Sequence, residues 1–567
     1  MKDNNNIWTK QRGGATAFMC LFLAGALLAM VLAGCSEGGP SSQQGAAGND
    51  SRYPITISVF TQEARQQPGA NNKLYRYITE KTGVTFAWDI LVGEIAQKRG
   101  VMIAGQDYPD IIEISETQFI DAGALIPLED LIEQYAPNVR AHYGDTWDQL
   151  RSEDGHIYYL TNWGVYTGRD QSPYYGDSAL WVQKEVLKEA GYPKVVTMDQ
   201  YFDLLINYAK KYPTINGQPT IPFTILTYDW HAFCLWNPPN FLAGFPNEGN
   251  GTVTGNPPVY KNFFTQDISK RWFKKLNELN ALGYIDRSGF VDNYDQYIAK
   301  LSSGRVLGVH DQRWQFQNGD DALRDQNMYN RTMAPLPIVF DASTSPRYRN
   351  VPIPNLGRGI GISIKAKDPV RIARFLNDLM AEDVQLTIEW GIEGEDWQRN
   401  ANGEPYRTPA QRDNWENLQW QEQNRALLVR DNFPSWEGSW SDGYPTSLEN
   451  FYPEREALTR AEDKELWAAY DVTSYAELMD KDPAPNALWF PTWSMPNPPD
   501  GSDAQIAFQR CEQTMRKYLP QVILAAPADF ERLWAEYVQE MNSNGIAIYE
   551  AYMQDQMNKR IAAWSNK

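Results

Sequence analysis

The first apolar pattern is an uncharged run rich in Leu, Ala and Met from Ala15 to Ala33, preceded by Lys2, Lys10 and Arg12. A basic head, an apolar run and a close of small residues mark a secretion signal rather than a folded element. The run stops abruptly at Gly34-Cys35, and a polar, glycine-rich stretch without a basic flank follows. That argues against a membrane span. Residues 36–51 carry almost nothing apolar and predict a flexible tether. Beyond it Ile55, Ile57 and Val59 alternate with Thr56 and Ser58, predicting a strand. Leu74, Tyr77 and Ile78 recur at helical spacing, with Gly83 placed to close the helix. Val84 to Ile90 predicts a second strand, Met102 and Ile103 the end of another helix, and Ile111 to Ile114 a third strand. Strands alternating with helices predict a parallel sheet with right-handed crossovers.

The same rhythm then restarts. His156 to Leu160 and Ala179 to Val182 predict strands. Thr197 with Gln200 is a capping box ahead of the stripe Tyr201, Leu204, Leu205 and Tyr208. Phe223 to Leu226 and Arg305 to His310 predict further strands, and the Gly, Pro and Asn-rich stretch 237–258 predicts loop. Gly359 to Lys365 alternates again, and Gly357, Gly359 and Gly361 read as a bend at a hinge. Asp368 and Pro369 open a helix as N-cap and first residue. The stretch from Glu393 to Asn497 predicts loops and short helices, and a long amphipathic helix carries Phe530, Trp534, Tyr537 and Met541. No internal repeat is visible.

The chain has 567 residues, enough for two large lobes, and a formal net charge of -19. Without residues 1–34 the count becomes 49 basic and 70 acidic, a charge of -21. So acidic a body repels nucleic acid and anionic lipid. Cys20 falls in the apolar run, and Cys234 and Cys511 are left as either a pair or two buried thiols. No His-Glu-x-x-His, Gly-x-Ser-x-Gly or P-loop occurs, and the four His have no zinc-ligand spacing. The expectation is no catalytic residue, no metal and no cofactor, although a carboxylate-lined loop for calcium stays open.

Two resemblances extend this. Leu32-Ala33-Gly34-Cys35 resembles the lipobox of bacterial lipoproteins. It implies a signal peptide over 1–34, a lipid on the Cys35 thiol and a tether over 35–53. Further on stand MIAGQDYPDII (102–112), GALIPLEDLIEQYAPN (123–138), GHIYYLTN (155–162), LWVQKEVLKEAGY (180–192), and GIGISIKAKDP through WGIEG (359–394). Together with DFERLWAEYVQEMNSNG (529–545), this ordered set resembles the large solute-binding lipoproteins of ABC importers, related in fold to the maltose-binding type. The resemblance implies an α/β fold of two lobes, of the type II periplasmic-binding-protein kind, with a hinge and a ligand cleft between them. It places 54–163 and 335–395 in the first lobe, and 164–334 and 396–567 in the second. The implied partners are a carbohydrate, ABC permease subunits and the membrane through the lipid, for a monomer on the outer face of the cell membrane.

Ligands of open α/β sheets sit beyond the carboxyl ends of strands. Those ends carry Gln62 and Glu63, Ser115 and Glu116, Asn162 and Trp163, Asp229 and Trp230, and Arg313 and Trp314. A pyranose stacks its apolar face on an indole and binds its hydroxyls through Asp, Glu, Asn or Arg. These ten residues are therefore the candidate ligand contacts. Two other functions fit an acidic, Trp-rich secreted protein. One is a glycan-active enzyme, which needs two carboxylates across the cleft. The other is a sugar-sensing or adhesion lipoprotein.

Overall fold

The computed structural model describes residues 52–565, except 64, 94, 115–117, 153, 169–171, 173, 350–352, 357 and 480–486. Cys35, the signal segment and all but the end of the tether lie outside the described residues. Eight strands build two four-stranded sheets: β1 (Ile55–Thr61), β2 (Val84–Ile90), β3 (Ile111–Ile114), β4 (Ser178–Gln183), β5 (Ile221–Thr224), β6 (Val306–Gln312), β7 (Met333–Leu336) and β8 (Gly359–Ile362). The first sheet has the order β8-β3-β1-β2, with β1 parallel to β2 and β3, and β8 antiparallel to β3. The second has the order β7-β4-β6-β5, with β6 parallel to β5, and β4 antiparallel to both β6 and β7. Each sheet has its own apolar core. Ile57, Val59, Ile111 and Ile360 meet Phe375 and Leu376 in one, while Val182, Phe223 and Leu307 meet Trp272 and Leu276 in the other. The body is thus two-lobed, an α/β arrangement as expected.

Local chemistry explains the element ends. Gly83 closes the Lys73–Thr82 helix at φ 73°, a conformation that a Cβ disfavours. Thr197 and Gln200 cap the Met198–Lys211 helix reciprocally, and the Asp368 side chain accepts the Arg371 N–H at the start of the Pro369–Leu379 helix.

The lobes are joined where the chain crosses after Leu160 and returns before β8. The Thr161 hydroxyl donates to the Asn355 carbonyl at 2.5 Å, and Asn355 N–H donates to the Trp163 carbonyl at 3.1 Å. Glycine allows the approach: a Cβ on Gly164 would stand 1.9 Å from the Ile353 carbonyl oxygen, and one on Gly359 2.3 Å from that of Leu160. Gly359 and Gly361 therefore lie within a strand, where close backbone contact selects them, and not in a bend before it.

Four further expectations change. Of His156 to Leu160, only Leu160 pairs, through a single bridge to Ile360, because the segment has begun to cross between lobes. The stretch 237–258 is not all loop. Pro238–Leu242 is helical, with proline in its first turn, and Gly251–Thr254 pairs with Val259–Asn262 as a hairpin. The lobe boundaries also move by packing. Leu336, Ile338 and Phe340 lie in the second lobe's core, whereas Ala426, Leu428, Val429 and Phe433 lie in the first lobe's. Residues 335–349 thus belong with the second lobe and the stretch up to about Glu454 with the first. The aromatic residues of this stretch are anchors without a helical or strand period, so no pattern assigned them. Lastly, Phe530–Ser543 is joined by two longer helices, Asp503–Leu524 and Ile546–Ser565. Among the described residues no helix is long and apolar enough to cross a membrane. Cys234 and Cys511 are both free and buried.

Candidate functional site

A recess of about 450 Å³ opens on the first lobe beside the crossing segments. Its lining includes Glu63 and Arg65 beyond β1, Asn162 and Trp163 in the first crossing, and Arg358 just before β8. Glu389 enters from the Glu382–Trp390 helix, and the stretch that packing moved to this lobe adds Arg430, Asp431, Trp436 and Glu437 among others. Each of the three lining arginines already holds carboxylates. Arg65 meets Asp431 at 2.8 Å and Glu422 at 3.2 Å, and Arg430 meets Glu389 at 3.3 Å. Arg358 lies 2.7 Å from Glu113 and also pairs with Glu63. Glu113 is only 1% exposed; burial raises its pKa, against the pull of Arg358. It further accepts the Thr61 hydroxyl at 2.8 Å and the Gln62 N–H at 2.6 Å.

Asn162 and Trp436, whose indole Nε1 is buried without an acceptor, each leave a polar atom open among the lining residues. Asn162 Nδ2 donates to the Asp431 carbonyl at 2.6 Å, which fixes the amide orientation. Its Oδ1 is buried without a hydrogen-bond donor. A buried acceptor of this kind is costly unless a ligand or water supplies the donor. Trp163, 40% exposed, stacks on Trp493 with ring centroids 6.3 Å apart. Trp493 comes from the segment before the last three helices. That segment is held by the buried Glu248, which accepts Trp489 Nε1 at 3.1 Å and Thr492 N–H at 2.8 Å.

The second lobe presents rings instead of charges. Trp314 and Trp230 are 52% and 53% exposed, with centroids 5.8 Å apart and planes 11° apart. His231 stacks on Trp230 at 3.8 Å and Tyr294 on His231 at 5.1 Å, extending the pair into a file. Trp314 is not in a loop: β6 runs straight into the Arg313–Asp325 helix, so its indole leaves the first turn. Asp229, directly before Trp230, is exposed at φ 47°, a conformation uncommon outside glycine and asparagine. Arg313 N–H donates to the Gly176 carbonyl at 3.0 Å.

Of the expected contacts, Glu63, Asn162 and Trp163 therefore meet in the recess, while Trp230 and Trp314 meet in the ring file with Asp229 and Arg313 adjoining them in sequence. Gln62 is tied through its N–H to Glu113 and does not line the recess. Ser115 and Glu116 lie outside the described residues. Sequence reasoning missed Arg65, Asp431, Glu437 and Trp493, because none directly follows a predicted strand. Among the described residues no group of His, Cys, Asp and Glu is arranged to hold a metal ion.

No family profile matches the chain. Over 290 residues it is 27% identical to the fructooligosaccharide ABC transporter substrate-binding protein FusA of Streptococcus pneumoniae serotype 4, covering 48% of this chain. The chain spans about half, 53%, of the length of that relative. Its fold is matched more widely. An HMO-binding, ABC-transporter-associated solute-binding protein from Bifidobacterium longum infantis superposes with a TM-score of 0.63 at 17% identity, over 90% of this chain and 99% of that one. The chain has the fold of the ABC-transporter solute-binding proteins. Alginate-binding AlgQ2 shares this solute-binding-protein fold at a TM-score of 0.62 and 15% identity, over 89% and 98% of the two chains. FusA in complex with kestose shares it at 0.59 and 18%, over 90% and 100%. The segments that cross between the two lobes border the recess through Asn162, Trp163 and Arg358.

Proposed function

We propose that this protein is a lipid-anchored extracellular substrate-binding protein that captures an uncharged oligosaccharide and delivers it to an ABC-transporter permease. The observations that carry the reading are two complementary surfaces, one on each lobe. One is a recess rich in hydrogen-bond acceptors, with Asn162 Oδ1 unpartnered; the other is a half-exposed indole pair. Sugar hydroxyls supply the donors and a pyranose or furanose face supplies the apolar surface. Charge selects within the carbohydrates. The recess is lined by four carboxylates, Glu63, Glu389, Asp431 and Glu437, against Arg65, Arg358 and Arg430, each already ion-paired. A uronate would face an excess of like charge. The likeness to FusA, whose structure holds kestose, supports the same class. Transport, rather than hydrolysis or adhesion, rests on that likeness, and the lipid anchor rests on Cys35.

The test is a thermal-unfolding panel of kestose, other neutral oligosaccharides and oligouronates. A neutral oligosaccharide at a hundred times its Kd adds about 2.7 kcal/mol of stability. A shift with oligouronates alone would refute the charge argument. A shift with no glycan, or hydrolysis of one, would refute the binding-protein reading. Replacing Cys35 by Ser should release the protein from the membrane fraction or leave an uncleaved precursor. Membrane attachment of a correctly cleaved Cys35→Ser product would exclude the anchor.

A further inference from the structure

Beneath the ring file lies one carboxylate that the proposed function does not itself use. Asp311, the penultimate residue of β6, is fully buried. Its Oδ1 accepts Gln315 Nε2 at 2.7 Å, the Gln312 N–H at 2.7 Å and the Cys234 thiol at 3.1 Å. Its Oδ2 accepts the Tyr297 hydroxyl at 2.6 Å. The Gln315 amide also reaches Cys234 Sγ at 3.0 Å, so the donors are linked to one another.

The origin of these donors is the point. Gln315 neighbours Trp314 in the first turn of the Arg313–Asp325 helix. Cys234 lies in the short Phe233–Trp236 helix that continues directly from the turn holding Trp230 and His231. Tyr297 lies one turn along the helix that Tyr294 begins. Every element that contributes a ring to the file thus sends one side-chain donor to the same carboxylate. Nothing in core packing requires this convergence. Three short elements could each bury apolar residues and leave their rings at independent angles. A charged acceptor shared by all three fixes their relative positions, because charge-assisted hydrogen bonds are stronger and more directional than neutral ones.

We propose that Asp311 is a positioning residue that sets the parallel alignment of Trp230 and Trp314 by holding the three ring-bearing elements on one buried carboxylate. The proposal rests on the ring pair as a sugar platform for its functional meaning, but its geometry does not depend on any ligand.

Indoles stacked this close couple their electronic transitions, and the amplitude of the resulting circular-dichroism exciton couplet depends on their in-plane transition moments being held at one fixed mutual orientation. In the full-length protein without ligand, the spectrum of the wild type minus that of Trp314→Phe isolates this couplet. Asp311→Asn, which keeps the side-chain shape but removes the charge, should lower its amplitude to about half or less while urea unfolding stays cooperative. Tyr297→Phe, which removes one donor without touching the carboxylate, should lower it by a smaller amount. It decides the matter alone if Asp311→Asn does not fold. A pH series adds a readout that mere packing would not move. Burial pushes the Asp311 carboxyl up to about 6, so the couplet should weaken as pH falls through that value more in the wild type than in Asp311→Asn. The titratable groups around it are Tyr294 and Tyr297 on one helix, Cys234 on another and His310 on its own strand. Burial raises the pKa of both tyrosines and of the thiol, keeping them protonated, and lowers His310 to about 4, keeping it neutral. His231, in the file itself, is also lowered by burial, and it titrates equally in both proteins. An unchanged couplet in Asp311→Asn and Tyr297→Phe would overturn the proposal, even if the protein binds sugar. A lost couplet would sustain it, even if no sugar binds.

Discussion

The recess of the first lobe and the ring file of the second are built from opposite materials. In the recess, charged groups face one another across the wall and neutralise in pairs, as Arg358 does with Glu63 and the buried Glu113. In the file, the polar work is hidden below, on Asp311, and the exposed surface is indole. The difference separates what each side chain is for. Arg358 is both wall and foundation, since removing it strands the buried Glu113. A file ring is almost only surface, since about half of it already faces solvent. Stability and affinity should therefore respond to different substitutions in the two lobes.

The comparison breaks first if exposure does not set the cost of losing a ring. Trp390 is 0% exposed within the first lobe's aromatic cluster. Trp390→Ala should lower unfolding stability by about 3–5 kcal/mol, read as the urea midpoint. A loss below about 1 kcal/mol would show that burial does not rank these indoles. Next comes the foundation claim. Arg358→Ala leaves Glu113 buried and uncompensated and should lower stability by about 3 kcal/mol. Glu63→Ala, on the more exposed end of the same network, should lower it by less than about 1 kcal/mol. Equal effects would mean that the pairs are surface decoration.

Beside the recess, Trp493 leans on Trp163 from a segment seated on Glu248. Burial pushes the Glu248 carboxyl up from 4.5 to about 7, with Arg560 and Tyr260 the charged and titratable groups beside it. A carboxyl raised in the folded state contributes stability below its unfolded pKa and loses it as pH rises through the folded one. Relative to Glu248→Gln, the wild type should thus lose on the order of 2 kcal/mol between about pH 5 and about pH 7.5. Parallel pH profiles of the two proteins would dismiss the assignment. The smallest expected effect is the most specific. Trp314→Ala should weaken binding of a stabilising neutral oligosaccharide about tenfold, roughly 1.4 kcal/mol by calorimetry, with an almost unmoved urea midpoint. Normal affinity with a collapsed midpoint would make Trp314 a core anchor and leave Trp163 and Trp230 as the exposed stacking faces.

Much of the scaffold was legible because it is periodic. Ile55, Ile57 and Val59, the capping box at Thr197 and Gln200, and Asp368 before Pro369 all announce their elements through neighbours within a turn or a pleat. The strand-end rule likewise reached Glu63, Asn162, Trp230 and Trp314. It failed on Asp431, Glu437 and Trp493. These reach the site from stretches with no period, held by single aromatic anchors such as Phe433 or by one buried group such as Glu248.

By itself, the sequence determined the two α/β rhythms, the places where strands end and the acidic, aromatic character of what lies there. Those properties are local: each depends on residues a few positions apart. Only the tertiary structure decided which lobe owns residues 396–454, that three arginines of the recess are already neutralised, and that Gln315, Cys234 and Tyr297 meet on Asp311. Those are relations between side chains up to hundreds of positions apart. No local pattern encodes them, because they exist only once two separate cores have packed and the chain has crossed between them.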